Sequence, residues 1–307
     1  MLVTGANGFI GPWLIRSLTA RGASVHALTR RVIGAPEPDF GLGVTALDGE
    51  ITDLAFISDL LSQAHIDHVY HLAAINTNTG SSISPYDILE TNTRGTYTVL
   101  EACRRSGHPV SAVISSSKEV EDCFRPETAR KFHSYMASKA AAELIARTYC
   151  DSAGVATAIL RLDNIYGGGD FNWSRLVPGM MRVILQGETP VIRSNGLTER
   201  DYVYVEDAVA AFLAVGERLE QPDVKGRLFR VTTGLGTSVL DMVKKISVAA
   251  GRPDLQPKVL NEKSEERVDV PYQPALEKKV LDWSSQTSLA EGLARTCQWY
   301  QDYFRKK

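Results

Sequence analysis

The sequence predicts a doubly wound α/β fold, a parallel sheet with helices on both faces, joined to a smaller and discontinuous C-terminal part. Three observations predict it. Residues 1–4 read as a short buried strand that runs directly into a glycine-rich turn at 5–11 and then into a helical stretch at 12–21. Short apolar runs at 25–29, 67–73, 110–115 and 155–160 then alternate with helical stretches at 97–105 and 137–150, the order of repeated βαβ units. Finally, 307 residues that are 44% hydrophobic supply a large core without disulfides or metal staples.

Each element has a local reason. Pro12 is tolerated at a helix start, where its missing N–H has no intrahelical partner, and Gly22 stops that helix. The turn Gly5-Ala6-Asn7-Gly8-Phe9-Ile10-Gly11 spaces its glycines by three. Gly5 supports the tight turn, Gly8 lets a pyrophosphate approach the backbone, and Gly11 lets helix and strand pack closely. Placed straight after a first strand, this is the signature of a Rossmann dinucleotide-binding turn. Beyond Arg161 the composition shifts, with Gly167, Gly168 and Gly169 opening an irregular stretch. Helices are expected at 176–186, 207–219, 239–250 and 289–299, with a short strand at 201–203. Residues 1–165, completed by parts of 201–232, are therefore expected to hold the dinucleotide, and 166–200 with 233–307 the substrate.

Composition narrows the function classes. A formal net charge of −2 gives no general attraction to nucleic acid. Cys103, Cys123, Cys150 and Cys297 are scattered without CxxC spacing, which predicts reduced thiols in a cytoplasmic protein. No basic leader opens the sequence, and no apolar run reaches the ~18 residues of a membrane helix, so neither secretion nor membrane insertion is expected. His65, His68 and His71 tempt a metal reading, but His68 and His71 fall on opposite faces of a strand, and no metal site is expected.

The residues also carry chemistry. After the second strand, Thr29-Arg30-Arg31 stands where an acidic residue would hold a ribose diol. Two guanidiniums match a 2′-phosphate, which favours NADP, with NAD the alternative if the arginines only solvate the loop or stack beside adenine. Glu50, after another strand, is placed to reach the adenine amino group. Tyr135 and Lys139, four apart on a helix, bring a phenol and an ammonium to one side. A nearby ammonium favours tyrosinate, a base toward a sugar hydroxyl. A serine of Ser115-Ser116-Ser117, at a strand end, can bond the same substrate oxygen.

The glycine turn, His71-Leu72-Ala73-Ala74, the serine run, Tyr135-xxx-Lys139, Asn164-Ile165-Tyr166-Gly167 and the segment Arg200 to Asp207 together resemble the extended short-chain dehydrogenase/reductase family that modifies nucleotide sugars. The resemblance covers nearly the whole chain. It implies cofactor contacts from Gly5, Asn7, Gly8, Phe9, Ile10, Gly11, Ile51, Leu72, Ala73, Ala74, Tyr135 and Lys139. It also implies a serine–tyrosine–lysine device that transiently oxidises the sugar, and a homodimer built on the helices at 97–105 and 137–150. Leu89–Thr96 and Asn164–Asp170 look most like the branch of CDP-glucose 4,6-dehydratases and related epimerases, and Thr29-Arg30-Arg31 resembles the NADP turn of GDP-mannose 4,6-dehydratases.

The resemblance breaks at one place. Related dehydratases carry an Asp-Glu or Asp-Lys pair straight after the catalytic Ser or Thr; here the run is Ser116-Ser117-Lys118-Glu119. If Ser116 fills the serine role, Ser117 replaces the acid; if Ser117 fills it, Lys118 and Glu119 replace the pair. The serine–lysine spacing favours Ser116, with Ser117 the alternative. Asn164, Asn172, Arg175, Arg193, Arg200 and Arg267 are candidates for the substrate's diphosphate and its surroundings, since Arg offers planar bidentate donors. The leading expectation is a nucleotide-sugar epimerase acting through C4. The alternatives are a CDP- or GDP-hexose 4,6-dehydratase, a ketosugar reductase and a nonenzymatic NADP-binding regulator.

Overall fold

The predicted strands are short apolar runs whose successive side chains point to opposite faces of the sheet, and this builds the two main cores in a computed structural model that describes residues 1–30, 40–76, 83–124, 132–263 and 272–306. In chain order the elements are β1 (Leu2–Thr4), α1 (Gly11–Ala20), β2 (Val25–Thr29), β3 (Val44–Asp48), α2 (Leu54–Gln63), β4 (His68–His71), α3 (Pro85–Leu89), α4 (Gly95–Arg105) and β5 (Ser111–Ser117). Next come α5 (Ser134–Ala153), β6 (Thr157–Leu162), β7 (Asn164–Tyr166), α6 (Leu176–Leu185), β8 (Val191–Ile192), β9 (Glu199–Tyr204) and α7 (Val205–Gly216). The chain ends with β10 (Leu228–Val231), β11 (Gly236–Ser238), α8 (Val239–Ala249), β12 (Lys258–Val259), α9 (Ala275–Leu281) and α10 (Leu289–Arg305).

The main sheet has the order β10-β6-β5-β4-β1-β2-β3, and its strand pairs are parallel. Because side chains of a strand alternate faces, Val3, Ala27, Val113 and Ala158 pack with Leu14, Leu18 and Phe212 of α1 and α7. Their neighbours Leu2, Leu28, Ile114 and Ile159 pack with Ile57, Leu61, Val99, Leu100 and Ala146 of α2, α4 and α5. This is the expected doubly wound Rossmann sheet. Strand order reverses at β1, which lies between β2 and β4, and in such sheets the crevice beyond the carboxyl ends at the reversal is where ligands bind.

The smaller part contains two minor sheets, β11-β9-β7 and β12-β8. Ser238 and Ser288 cap α8 and α10, accepting from the N–H groups of Asp241 and Glu291. The first turns of α6 and Val239 of α8 border the outer mouth of the crevice. A π-helical turn at Glu90–Arg94 leads into α4 and carries the buried Asn92. Its side chain donates to the Ile75 carbonyl and to Ser138 Oγ, both at 2.9 Å, and accepts from the Ile75 N–H at 2.7 Å, tying the loop after β4 to α5. Among the described residues no helix is long and apolar enough to cross a membrane.

Candidate active site

The turn after β1 is set by close backbone contacts. Gly5 has φ +67°, and a Cβ there would stand 2.8 Å from the Ala73 backbone; a Cβ on Gly11 would stand 2.5 Å from the Ala6 carbonyl oxygen. Larger residues would push β1, the loop after β4 and α1 apart. A buried chain of hydrogen bonds fixes the same corner: the Ala73 N–H donates to Thr4 Oγ1 (3.2 Å), which meets His71 Nδ1 (2.9 Å). His71 Nε2 meets Thr96 Oγ1 (3.2 Å), which donates to the Asn92 carbonyl (2.7 Å). Since Thr96 commits its proton to Asn92, His71 carries its proton on Nε2. Burial pushes His71 down to about 3, so it is a neutral rivet beneath the crevice. His68 is likewise pushed to about 4 by burial and meets Ser111.

On the other side of the crevice, β5 ends in the three serines and α5 carries Tyr135 and Lys139. Lys139 is buried, and its Nζ donates to the Ser115 carbonyl at 2.8 Å. Burial lowers its pKa to about 8, opposed by Glu143 one turn further on. The ammonium lies 6.0 Å from the centre of the Tyr135 ring. Burial, reinforced by Glu119, pushes the phenol up to about 12, with Arg175 and a hydrogen bond to Ser117 pulling it down. Desolvation therefore outweighs the tyrosinate-favouring effect expected from a neighbouring ammonium.

Successive serines of β5 point opposite ways. Ser116 Oγ donates to Glu143 Oε1 at 2.5 Å, and Glu143 is held by Arg161 at 2.6 and 2.7 Å. Ser117 bonds Tyr135, and its Oγ also accepts the Glu119 N–H at 3.3 Å. Lys118 Nζ stands 4.0 Å from Asp163 Oδ1, while Arg230 clasps Asp163 at 3.1 and 3.2 Å and reaches Glu121 at 3.0 Å.

Three cavities run along the crevice. An inner one of about 170 Å³ is lined by Gly5, Asn7, Arg30, Glu50, Ile51 and Ala73. A central one of about 290 Å³ is lined by the glycine turn with Phe9 and Ile10, and by Ser116, Ser117, Lys118, Glu119, Tyr135 and Lys139. Leu72 and Ala74 border both. An outer one of about 330 Å³ is lined by Trp173, Arg200 and Tyr202, and shares Glu119, Asn164, Ile165 and Arg175 with the central one. Arg175 is fixed there by Asp170 (2.7 Å) and the Ile165 carbonyl (2.7 Å), with its guanidinium 5.8 Å from the Phe9 ring. Asn164 Nδ2 donates to the Asp201 carbonyl at 2.7 Å.

Two expected substrate groups stand apart. Asn172 accepts from Ser174, and Arg193 is exposed; neither lines these cavities. Arg31 and Arg267 lie outside the described residues. Asn92, His133, Asp163 and Arg230 were not singled out from the sequence. Their partners are far away along the chain, and only the helix-start position of His133 left a local trace.

The crevice fits a dinucleotide. Ile10, at the N-cap of α1, has no side chain that could cap it, so N–H groups of the first turn remain for an anion beside the glycine turn. The cavities on either side of that turn offer room for the two ends of the molecule.

A sequence model of the NAD dependent epimerase/dehydratase family matches residues 1–229. The chain belongs to this family. Of curated relatives, a dTDP-4-dehydro-6-deoxy-D-allose reductase of Streptomyces sp is 30% identical, covering 98% of this chain and 96% of the relative. A dTDP-glucose 4,6-dehydratase of Mycolicibacterium smegmatis is 27% identical over 98% and 93%. The solved structure of MoeE5 in complex with UDP-glucose and NAD is 26% identical, covers 99% of both chains and superposes with a TM-score of 0.80. The chain is thus an enzyme of the NAD(P)-dependent nucleotide-sugar epimerase/dehydratase type.

Two expectations need correction. The relatives are named for dTDP- and UDP-sugars, so the narrower resemblance to CDP-glucose 4,6-dehydratases is replaced by the broader family. The preference for NADP is overturned as well: MoeE5 was solved with NAD, and similar folds were solved with NAD or NADH. The physical reason is that an arginine after β2 can lie over the adenine face as readily as it can clasp a 2′-phosphate. Arg30 is exposed, with its carbonyl 3.4 Å from Asn7 Nδ2.

Proposed function

We propose that this enzyme is an NAD-dependent nucleotide-sugar 4,6-dehydratase acting on a dTDP- or UDP-hexose. Glu119 carries this reading. Its carboxylate lines both the central cavity, beside Tyr135, and the outer cavity, beside Arg175 and Arg200. A carboxylate there suits a second proton transfer that simple inversion at C4 does not need. Dehydratases also recur more often than epimerases among the relatives, although a UDP-glucose 4-epimerase of Mycolicibacterium smegmatis is 29% identical.

In this reading Lys139, together with the positive charge of bound NAD, would offset the desolvation that raises the Tyr135 pKa. Tyr135 as tyrosinate then removes the proton of the C4 hydroxyl while Ser117 bonds the same oxygen and Lys139 holds the nicotinamide ribose. NAD, when bound, supplies a cationic ring that accepts the C4 hydride and later returns it to C6. Glu119 then removes the C5 proton, now acidified by the C4 carbonyl. The C5–H electron pair forms the C5=C6 bond as the C6–O bond breaks, and the hydroxyl leaves as water with a proton from Lys118. Glu119 returns a proton to C5. Arg200 and Arg175 face the diphosphate. Ser116, committed to Glu143, supports α5 from behind. Exposed Tyr97 and Leu144, on α4 and α5, suit a face that pairs two copies.

Incubation with dTDP-glucose and UDP-glucose, read by mass spectrometry and NMR, is expected to give a 4-keto-6-deoxy sugar lighter by one water, and Glu119→Gln is expected to abolish it. A product of unchanged mass with inverted C4 would instead establish the epimerase. NADH consumption with a ketosugar and no dehydration would establish the reductase.

A further inference from the structure

We propose that His133 is a positioning residue for Glu119, directing its carboxylate toward C5; this rests on the dehydratase reading above. His133 is the N-cap of α5, with extended backbone (φ −129°, ψ 157°). Its Nδ1 accepts the Met136 N–H at 3.3 Å, so the neutral ring carries its proton on Nε2. That nitrogen stands 3.5 Å from Glu119 Oε2. The imidazole is also nearly parallel to the Tyr135 ring, 8° between planes with centroids 6.4 Å apart.

A capping role alone does not call for histidine. Ser, Thr, Asn or Asp supplies the acceptor that an N-cap needs; imidazole adds a second nitrogen on the far side of the ring, and that nitrogen faces the one carboxylate shared by the two cavities. The Glu119 backbone is already held by Ser117 Oγ. An Nε2–H bond to Oε2 would fix the remaining freedom of the side chain and leave Oε1 for the C5 proton. Hydrogen bonds at such sites are often long before substrate binds and tighten afterwards. His133 holds its own proton throughout; the C5 proton goes to Glu119.

Two substitutions separate this role from capping. His133→Asn keeps the cap and loses the reach to Glu119. His133→Gln places an amide donor near the position of Nε2 but caps poorly. With dTDP-glucose and UDP-glucose as probes, His133→Asn is expected to lower kcat about tenfold or more with KM within about twofold, because proton transfer by a positioned group contributes about 10²–10⁴. Since C4 oxidation precedes the impaired step, reduced cofactor absorbing at 340 nm should accumulate transiently. Exchange of the C5 hydrogen in D₂O should slow in parallel. His133→Gln should recover most of kcat while lowering Tm. The reverse pattern, wild-type kinetics in His133→Asn with losses in His133→Gln that track its stability, would reduce His133 to a cap and overturn the proposal while leaving the dehydratase intact. If the wild-type enzyme dehydrates neither sugar, the dehydratase reading fails first and takes this assignment with it.

Discussion

Replacing Arg230 with Met tests whether the ion cluster beneath the site is a structural necessity. Arg230 is buried on β10, and its guanidinium spans Asp163 and Glu121, 67 and 109 residues away in sequence. Met fills comparable length without charge and leaves the fully buried Asp163 carboxylate with Lys118 at 4.0 Å. Removing one partner of a buried ion pair costs about 3–5 kcal/mol. With an unfolding entropy of about 2.1 cal/mol/K per residue, 307 residues convert this to a Tm loss of roughly 5–8 °C. The loss should depend on pH. Burial raises the Asp163 pKa, opposed by Arg230 and then Lys118. The native state therefore binds more protons than the unfolded chain between the ordinary and raised values, and stability falls as pH rises through that window. Without Arg230 the raised value climbs further and the window widens upward. Urea or thermal melts of wild type and Arg230→Met at acid and neutral pH should show the penalty growing with pH, and Asp163→Asn added to Arg230→Met should recover part of it. A penalty below about 1 kcal/mol, as for a surface pair, or one independent of pH, would refute the account.

Tyr135→Phe should retain binding of dTDP-glucose or UDP-glucose, read by calorimetry, and lower turnover by about 10²–10⁴ through loss of the phenolic proton acceptor; turnover near wild type would reassign the base. The alkaline limb of kcat/KM should fall as Lys139 loses its proton, near its lowered value of about 8. Glu143→Gln, by removing the carboxylate that opposes this lowering, should move that limb to lower pH. An unmoved limb would show that Lys139 is not the group titrating.

Much of the fold was legible because its determinants are local. Gly11 is demanded by a contact within a few residues, the clash of any side chain with the Ala6 carbonyl, whereas Gly5 is demanded by the Ala73 backbone, which arrives only on folding. The different surroundings of the two serines were partly legible in strand parity. On β5, Ser116 shares parity with Ala112 and Ile114, which face α5, whereas Ser117 shares parity with Val113, which faces α1 and α7. Strand alternation separates the two side chains, and only the folded chain shows Ser116 bonded to Glu143 and Ser117 beside Tyr135. The cofactor preference failed for a different reason: Arg30 carries a charge that suits two ligand groups, and the choice between them depends on the geometry of the whole loop.

The groups that would direct the steps after oxidation meet only on folding. Tyr135 and Lys139 are four residues apart on one helix, so together with the glycine turn their pairing could be read from the sequence. Glu119 sits on the 3₁₀ turn after β5 and Arg175 at the start of α6, yet both line the central cavity with Tyr135, while His133, on the cap of α5, lies parallel to the Tyr135 ring. Changing Glu119 would alter the steps after oxidation and, because Glu119 also raises the Tyr135 pKa, would shift the phenol downward as well. The same scaffold could then invert, dehydrate or reduce a sugar according to whether a second base stands beside the phenol. On the proposed reading, the carboxylate at position 119 is the feature that separates dehydration from simple inversion in this enzyme.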